Sequence, residues 1–164
     1  MEASGVEQAE RRPFMDIGRL QRSEYVGFVA ATALLVSLFL PWFSTDESNA
    51  AAQINGENGT FTAFGTYGVL DWLLVAAASA PFILGYIIIR GHSLSWRPGE
   101  VTAIVGLTAF VLIFANGLIF NIGNTSGEWF REIGYYIGLA AAAGIAFSGF
   151  IRQLQGAKKK PPGV

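Results

Sequence analysis

Asp71, Asn116 and the single His92 are the residues through which this chain could do chemistry, and none of them has company of the right type. A lone imidazole cannot build a metal site, and with no Cys in the sequence, thiolate nucleophiles, disulfides and Cys-ligated zinc or iron-sulfur centres are excluded together. No Ser-His-Asp set, paired carboxylates or phosphate-binding glycine loop is present. Asp71 opens an apolar stretch beside Trp72, where an acid serves most simply as an N-cap or first-turn anion favoured by the helix dipole. Its sharper reading is a contact on the outer face for a substrate or a cation. Asn116 lies deep in another apolar stretch. An amide there can line a transport path, but interhelical hydrogen bonding, about 0.6 and at most ~2 kcal/mol, accounts for it without any chemistry. No catalytic, cofactor-binding or metal-ligating residue is assigned, and a non-enzymatic protein without a cofactor is expected. An enzyme would require Asp71 or Glu128 to act with a bound metal, for which no ligand cluster is seen.

The elements that position these residues are apolar. Hydrophobic residues make up 52% of the chain and charged ones 14%, well below the roughly one quarter usual in soluble domains. Four charge-poor windows, at about 25–44, 71–90, 99–120 and 133–152, have the ~20-residue length that crosses ~30 Å of hydrocarbon. Four such segments leave too little polar sequence to cover them as buried helices of a soluble protein. The fold predicted is an all-α membrane protein, a four-transmembrane-helix bundle. Trp42, Trp72, Trp96 and Trp129 fall at or just beyond span ends, as headgroup-level aromatics do, so Pro41-Trp42-Phe43 reads as an interfacial exit from the first span.

Sidedness follows from the basic residues. Arg11, Arg12, Arg19, Arg22, Arg90, Arg97, Arg152 and Lys158 to Lys160 share one side, and Arg131 alone lies on the other. Both termini are therefore expected in the cytoplasm. The segment 1–23 reads as a cytoplasmic leader in which Phe14, Ile17 and Leu20 suit a short interfacial helix or a disordered basic stretch. Residues 24–152 form the membrane domain, and 153–164 a basic cytoplasmic tail. A cleaved signal peptide, with Ala50-Ala51-Ala52 as its processing site, is the rival reading of the first span. The apolar run exceeds the 7 to 15 residues of an h-region, so a retained span is preferred. In the first outer loop, Asn55-Gly56-Glu57-Asn58-Gly59 between extended-looking pieces predicts a small hairpin. Asn58-Gly59-Thr60 and Asn124-Thr125-Ser126 match the glycosylation pattern, a match expected by accident in Asn-rich loops.

Lipid offers no hydrophobic drive between helices, so small residues mark the faces that meet. In the fourth span Gly134, Gly138, Ala141, Ala142, Ser148 and Gly149 share one side of the wheel, opposite Tyr136, Leu139, Phe147 and Phe150. In the third, Thr102, Gly106, Ala109, Asn116 and Gly117 oppose Ile104, Leu107, Val111, Phe114 and Leu118. The candidate interhelical polar and packing residues are thus Asn116, Gly106, Gly117, Gly134, Gly138 and Ser148. Pro81 should kink the second span, freeing a carbonyl for Ser79 or a neighbouring helix.

The order Leu40-Pro41-Trp42-Phe43-Ser44, Phe61-Thr62-Ala63-Phe64, Gly68-Val69-Leu70-Asp71, Arg97-Pro98-Gly99-Glu100 and Gly138-Leu139-Ala140-Ala141 resembles a group of small four-span integral membrane proteins of high-G+C Gram-positive bacteria, over roughly residues 25 to 155. The resemblance implies a bacterial plasma membrane and four helices, and brings no catalytic residues. Many such relatives carry a basic residue late in the third span, where this chain has Asn116. The expected role is a structural or accessory subunit, in contact with the lipid bilayer and packing against itself or another membrane protein, with no nucleic acid. The alternative is a small oligomeric channel or carrier lined by Asn116, Ser79 and the Pro81 kink.

Overall fold

A computed structural model describes residues 18, 20–91, 96–120, 122 and 124–157. The protein is mostly helical with a small sheet. In order come α1 (Arg22–Ser37), β1 (Pro41–Thr45), β2 (Gln53–Ile54), β3 (Thr60–Thr62), α2 (Ala63–Thr66), α3 (Val69–Ile89) and α4 (Pro98–Phe114). A π-helical turn (Ala115–Ile119), β4 (Thr125–Ser126), β5 (Trp129–Arg131) and α5 (Ile133–Ala157) follow. The expected leader helix and the lysines of the tail lie outside the described residues.

Three helices are long and apolar enough to cross a membrane: Val69–Ile89, Pro98–Ile119 and Ile133–Gly156, of 21, 22 and 24 residues. The first predicted span differs. Its helix has 16 residues and ends at Ser37, so Pro41–Thr45 is a strand and not the last turn of a helix. Several causes coincide there. Ser37 Oγ donates back to the Leu34 carbonyl at 2.7 Å. Pro41 disfavours helical backbone at Leu40 and cannot donate itself. The Trp42 indole N–H then takes the Ser37 carbonyl at 2.6 Å, ending the backbone ladder with a side chain. Trp42 is consequently fully buried, which corrects its placement at the headgroup level; Trp72 and Trp96 are 69% and 68% exposed.

The starts of the other helices follow ordinary chemistry. α4 opens with Pro98 at its first position and Glu100 in its first turn. At the start of α1, the Gln21 N–H donates to Glu24 Oε2 at 2.6 Å. In α3, Pro81 interrupts the ladder while Ser79 Oγ bonds the Val75 carbonyl of its own helix at 2.8 Å.

α5 packs against α1 and α4, and α3 against α1 and α4, so the four helices close a ring. Its axis is dry: Ala31, Leu34, Leu74, Ala78, Ala109, Ile113, Ala142 and Ile145 are all buried. At one end, β1 is the middle strand of an antiparallel sheet ordered β3-β1-β5, and β2 pairs with β4. The expected tight turn exists, with Asn55 at φ 53° and Gly56 at φ 85°, and Ile54 and Glu57 exchange backbone bonds of 2.8 and 3.1 Å. The strands beside it do not pair with each other, however. β2 joins β4 and β3 joins β1, so the predicted hairpin is replaced by long-range pairing. The loop is tied down locally as well. Asn58 Nδ2 lies within bonding distance of the carbonyls of Asp46, Asn49 and Ala52, at 2.9 to 3.0 Å. The Ser48 hydroxyl and N–H both donate to Asp46 and hold its carboxyl below the ordinary carboxylate range.

Candidate functional site

The buried polar atoms without a hydrogen-bond partner among the described residues gather at the two ends of the bundle. Tyr67 Oη, Asp71 Oδ1 and Tyr135 Oη lie at the sheet end, and Gln21 Oε1 and Ser23 Oγ at the other. Each such atom costs about 1–3 kcal/mol unless something such as a water, an ion or a ligand satisfies it. The sheet end holds the richer set and is the candidate site.

The sequence dictates how this cluster is assembled. Pro41 ends the first helical segment and delivers Trp42 and Phe43 into the bundle. Their rings meet Tyr67 and Tyr135 edge-on or tilted, with centroids 5.7 to 6.1 Å apart. Glycines make room for them. A Cβ at Gly117 would overlap the Tyr135 ring, one at Gly138 would come within 2.6 Å of the Trp42 ring, and one at Gly134 within 2.5 Å of the Pro41 carbonyl. Asp71, in the first turn of α3, is 1% exposed and accepts no hydrogen bond among the described residues. It therefore sits inside the cap, because the strands fold back over the helix ends. Burial pushes the Tyr67 phenol up from its ordinary value, Tyr135 and Asp71 push it further, and Arg131 opposes them. Arg131 closes the cluster: its Nε donates to the Gly117 carbonyl at 2.7 Å, and its guanidinium lies 5.0 Å from the Trp129 ring centre. The free carbonyls at the end of α4 thereby gain a cation.

The remaining predicted residues are scattered. Asn116 Nδ2 donates to the Leu112 carbonyl of its own helix at 2.9 Å. That is its side-chain hydrogen bond among the described residues. Gly106 allows α4 to touch the backbone of α5 at Ala146, midway along the bundle. Ser148 is at the opposite end, 2% exposed, with Oγ donating to the Ile145 carbonyl at 2.8 Å. Sequence reasoning missed Tyr67, Tyr135 and Arg131, because a tyrosine near a span end looks like an interfacial anchor until a strand covers it. It also missed the ion pair between Glu24 and Arg152, whose side chains are 8% and 18% exposed. The signal for that pair was one acid and one base flanking the first and last spans on the same side.

Chemically, the sheet-end cluster offers one carboxyl, two phenols and a fixed guanidinium, suited to holding a hydrogen-bonding or charged group. It includes no nucleophile hydrogen-bonded to a base. No known protein family, curated protein or solved structure matches this chain.

Two measurements test this geometry. Asp71→Leu removes the carboxyl penalty of about 1–3 kcal/mol and forfeits a helix-dipole term of about 0.3–1 kcal/mol, so thermal stability in detergent should rise. A fall of similar size would show that the carboxyl has a stabilising partner. Gly138→Leu should cost about 1–3 kcal/mol by overpacking against Trp42, whereas Phe147→Leu, at a position 60% exposed, should stay within about 0.5 kcal/mol. Unchanged melting of Gly138→Leu beside a collapse of Phe147→Leu would reverse the faces assigned to α5.

Proposed function

We propose that this is a four-span, multi-pass protein of a bacterial plasma membrane with both termini cytoplasmic, acting as a non-enzymatic subunit that packs against a second copy of itself or another membrane protein. The short α1 completes its crossing through Leu38, Phe39 and Leu40. Tyr25, Val26, Val29, Val36 and Phe39 point outward from this segment and extend the apolar belt. The sheet then forms the outer cap, and the basic residues flank the opposite end.

One observation supports the assembly reading above all. The small faces expected to recruit partners are occupied within the chain, since Gly106 meets Ala146, Gly149 meets Ala103, and Gly134 and Gly138 meet Trp42. On the outward side of the α4 and α5 seam, however, lies a groove of about 400 Å³ with Ala103, Ala143 and Ala146 among walls of Leu107, Phe110 and Phe147. Alanines between bulky ridges let a further helix approach closely, the feature that drives association in lipid. A channel would have to be lined by Asn116 and Ser79, whose side chains each bond a carbonyl of their own helix.

Intact-particle mass in several mild detergents should exceed one chain, and Ala143→Trp should shift it to the monomer without lowering thermal stability. A monomer under every condition removes the assembly reading. Topology is tested separately. Because the chain has no Cys, Glu57→Cys and Gln155→Cys each introduce a unique thiol. In intact cells an impermeant maleimide should label the first and not the second.

A further inference from the structure

At the end of the bundle away from the sheet, a pocket of about 410 Å³ is lined by Gln21, Arg97, Pro98, Gly99, Arg152 and Gln153. Its wall contains two guanidiniums and two carboxamides, and no carboxylate among the described residues. We infer that this pocket binds the phosphate-bearing headgroup of an anionic lipid.

The donors are available. Each guanidinium carries five N–H groups in a planar fork suited to phosphate oxygens. Arg152 meets Glu24 through Nη1, and Arg97 meets Glu100 through Nη1 at 3.7 Å. These are the polar contacts of the two side chains among the described residues. Their other N–H groups have no protein acceptor there. Glu24 and Glu100 stand behind or beside the arginines and are not part of the wall. Glu24 holds the Arg152 fork in place, while the Arg97 fork, 3.7 Å from Glu100 between exposed side chains, stays open to solvent. The first turn of α4 adds the backbone N–H of Gly99 at the positive end of a helix dipole, since Pro98 has none and those of Glu100 and Val101 donate to the Arg97 carbonyl.

A second polar feature lies directly behind the pocket. Arg152 and Pro98 also line a cavity of about 20 Å³, room for one water, that receives side chains from α1, α3, α4 and α5. Ser23 reaches into it, 3% exposed and with its hydroxyl unpartnered among the described residues. A water there would partner the Ser23 hydroxyl.

The source is a lipid because of where the mouth opens. On the four-span reading, upon which this inference rests, it lies at the cytoplasmic headgroup level, where basic pockets between helices select anionic lipids.

The test uses the full chain purified in mild detergent and reads lipid retention by native mass spectrometry, so it does not depend on which way the chain faces in cells. Wild-type protein should retain one phosphatidylglycerol in preference to phosphatidylcholine. Arg97→Gln, at a side chain 71% exposed and outside the core, should weaken that retention about tenfold, the loss of one charge-assisted bond. Arg22→Gln, an exposed charge at the same end but outside the pocket, should change it by less than about twofold. Equal losses in both variants would mean general electrostatic attraction, and equal retention of the two lipids would mean no headgroup site. Protection against heat by inorganic phosphate alone, as strong as that by phosphatidylglycerol, would make free phosphate the ligand. Each of these three results overturns the inference.

Discussion

Trp42→Ala should be among the most destabilising single substitutions in this chain, lowering stability by about 3–5 kcal/mol and releasing the cap from the bundle. Trp42 is fully buried, its ring packs edge-on against Phe43, Tyr67 and Tyr135, and Gly134 and Gly138 of α5 lie directly against it. Cutting it to a methyl group leaves a void at the junction of α1, β1 and α5 that rigid neighbours fill only in part. Trp42→Phe separates packing from hydrogen bonding. It keeps most of the ring but removes the indole N–H, leaving the Ser37 carbonyl without that donor, and should cost about 1–3 kcal/mol. Hydrogen exchange at the backbone amides of β1 and β5 should rise sharply in Trp42→Ala, while exchange at Gly106 and Ala109, in the middle of α4, changes little. If Trp42→Ala melts like wild type, the ring does not hold the cap.

Glu24→Leu and Arg152→Met should each cost about 3–5 kcal/mol, while the double substitution should recover most of that loss. Removing either partner leaves the other charge buried against the cavity between the helices; removing both leaves apolar side chains in a largely dehydrated place. The pair joins the first turn of α1 to the last turns of α5, so a single substitution should also loosen that end of the bundle. A double-substitution cycle of thermal or denaturant unfolding reads the coupling directly. Strict additivity would show that the two charges are independently solvated, and a strong dependence on salt would place the pair at the surface.

The sequence by itself determined the long helices. Windows without charge lie between Asp71 and Arg90, between Glu100 and Glu128, and between Glu132 and Arg152, and a helix is the way one segment can satisfy every backbone group in hydrocarbon. The division of α5 was legible for the same local reason. Gly134, Gly138 and Ser148 recur at helical spacing and are buried, while Tyr136, Phe147 and Phe150 are exposed. The turn at Asn55-Gly56 was likewise legible, since it needs only the positive φ that these two residues supply.

Tertiary structure decided the rest. Pro41-Trp42-Phe43 fits equally a helix leaving the membrane and a strand turning back into the fold. The strand prevails because β3 and β5, about 20 and 90 residues away in sequence, supply its backbone partners and Gly134 and Gly138 supply space for the indole. Pairing at that range has no sequence period of its own. Asp71 therefore looked like a first-turn anion at a helix start, with nothing to show that the same cap buries it. Arg152 looked like a topology signal until the bundle brought Glu24 against it. In each case the residue type was visible from the start. Its partner was set by which helix ends the closed ring brings together, and by the sheet that covers one of them.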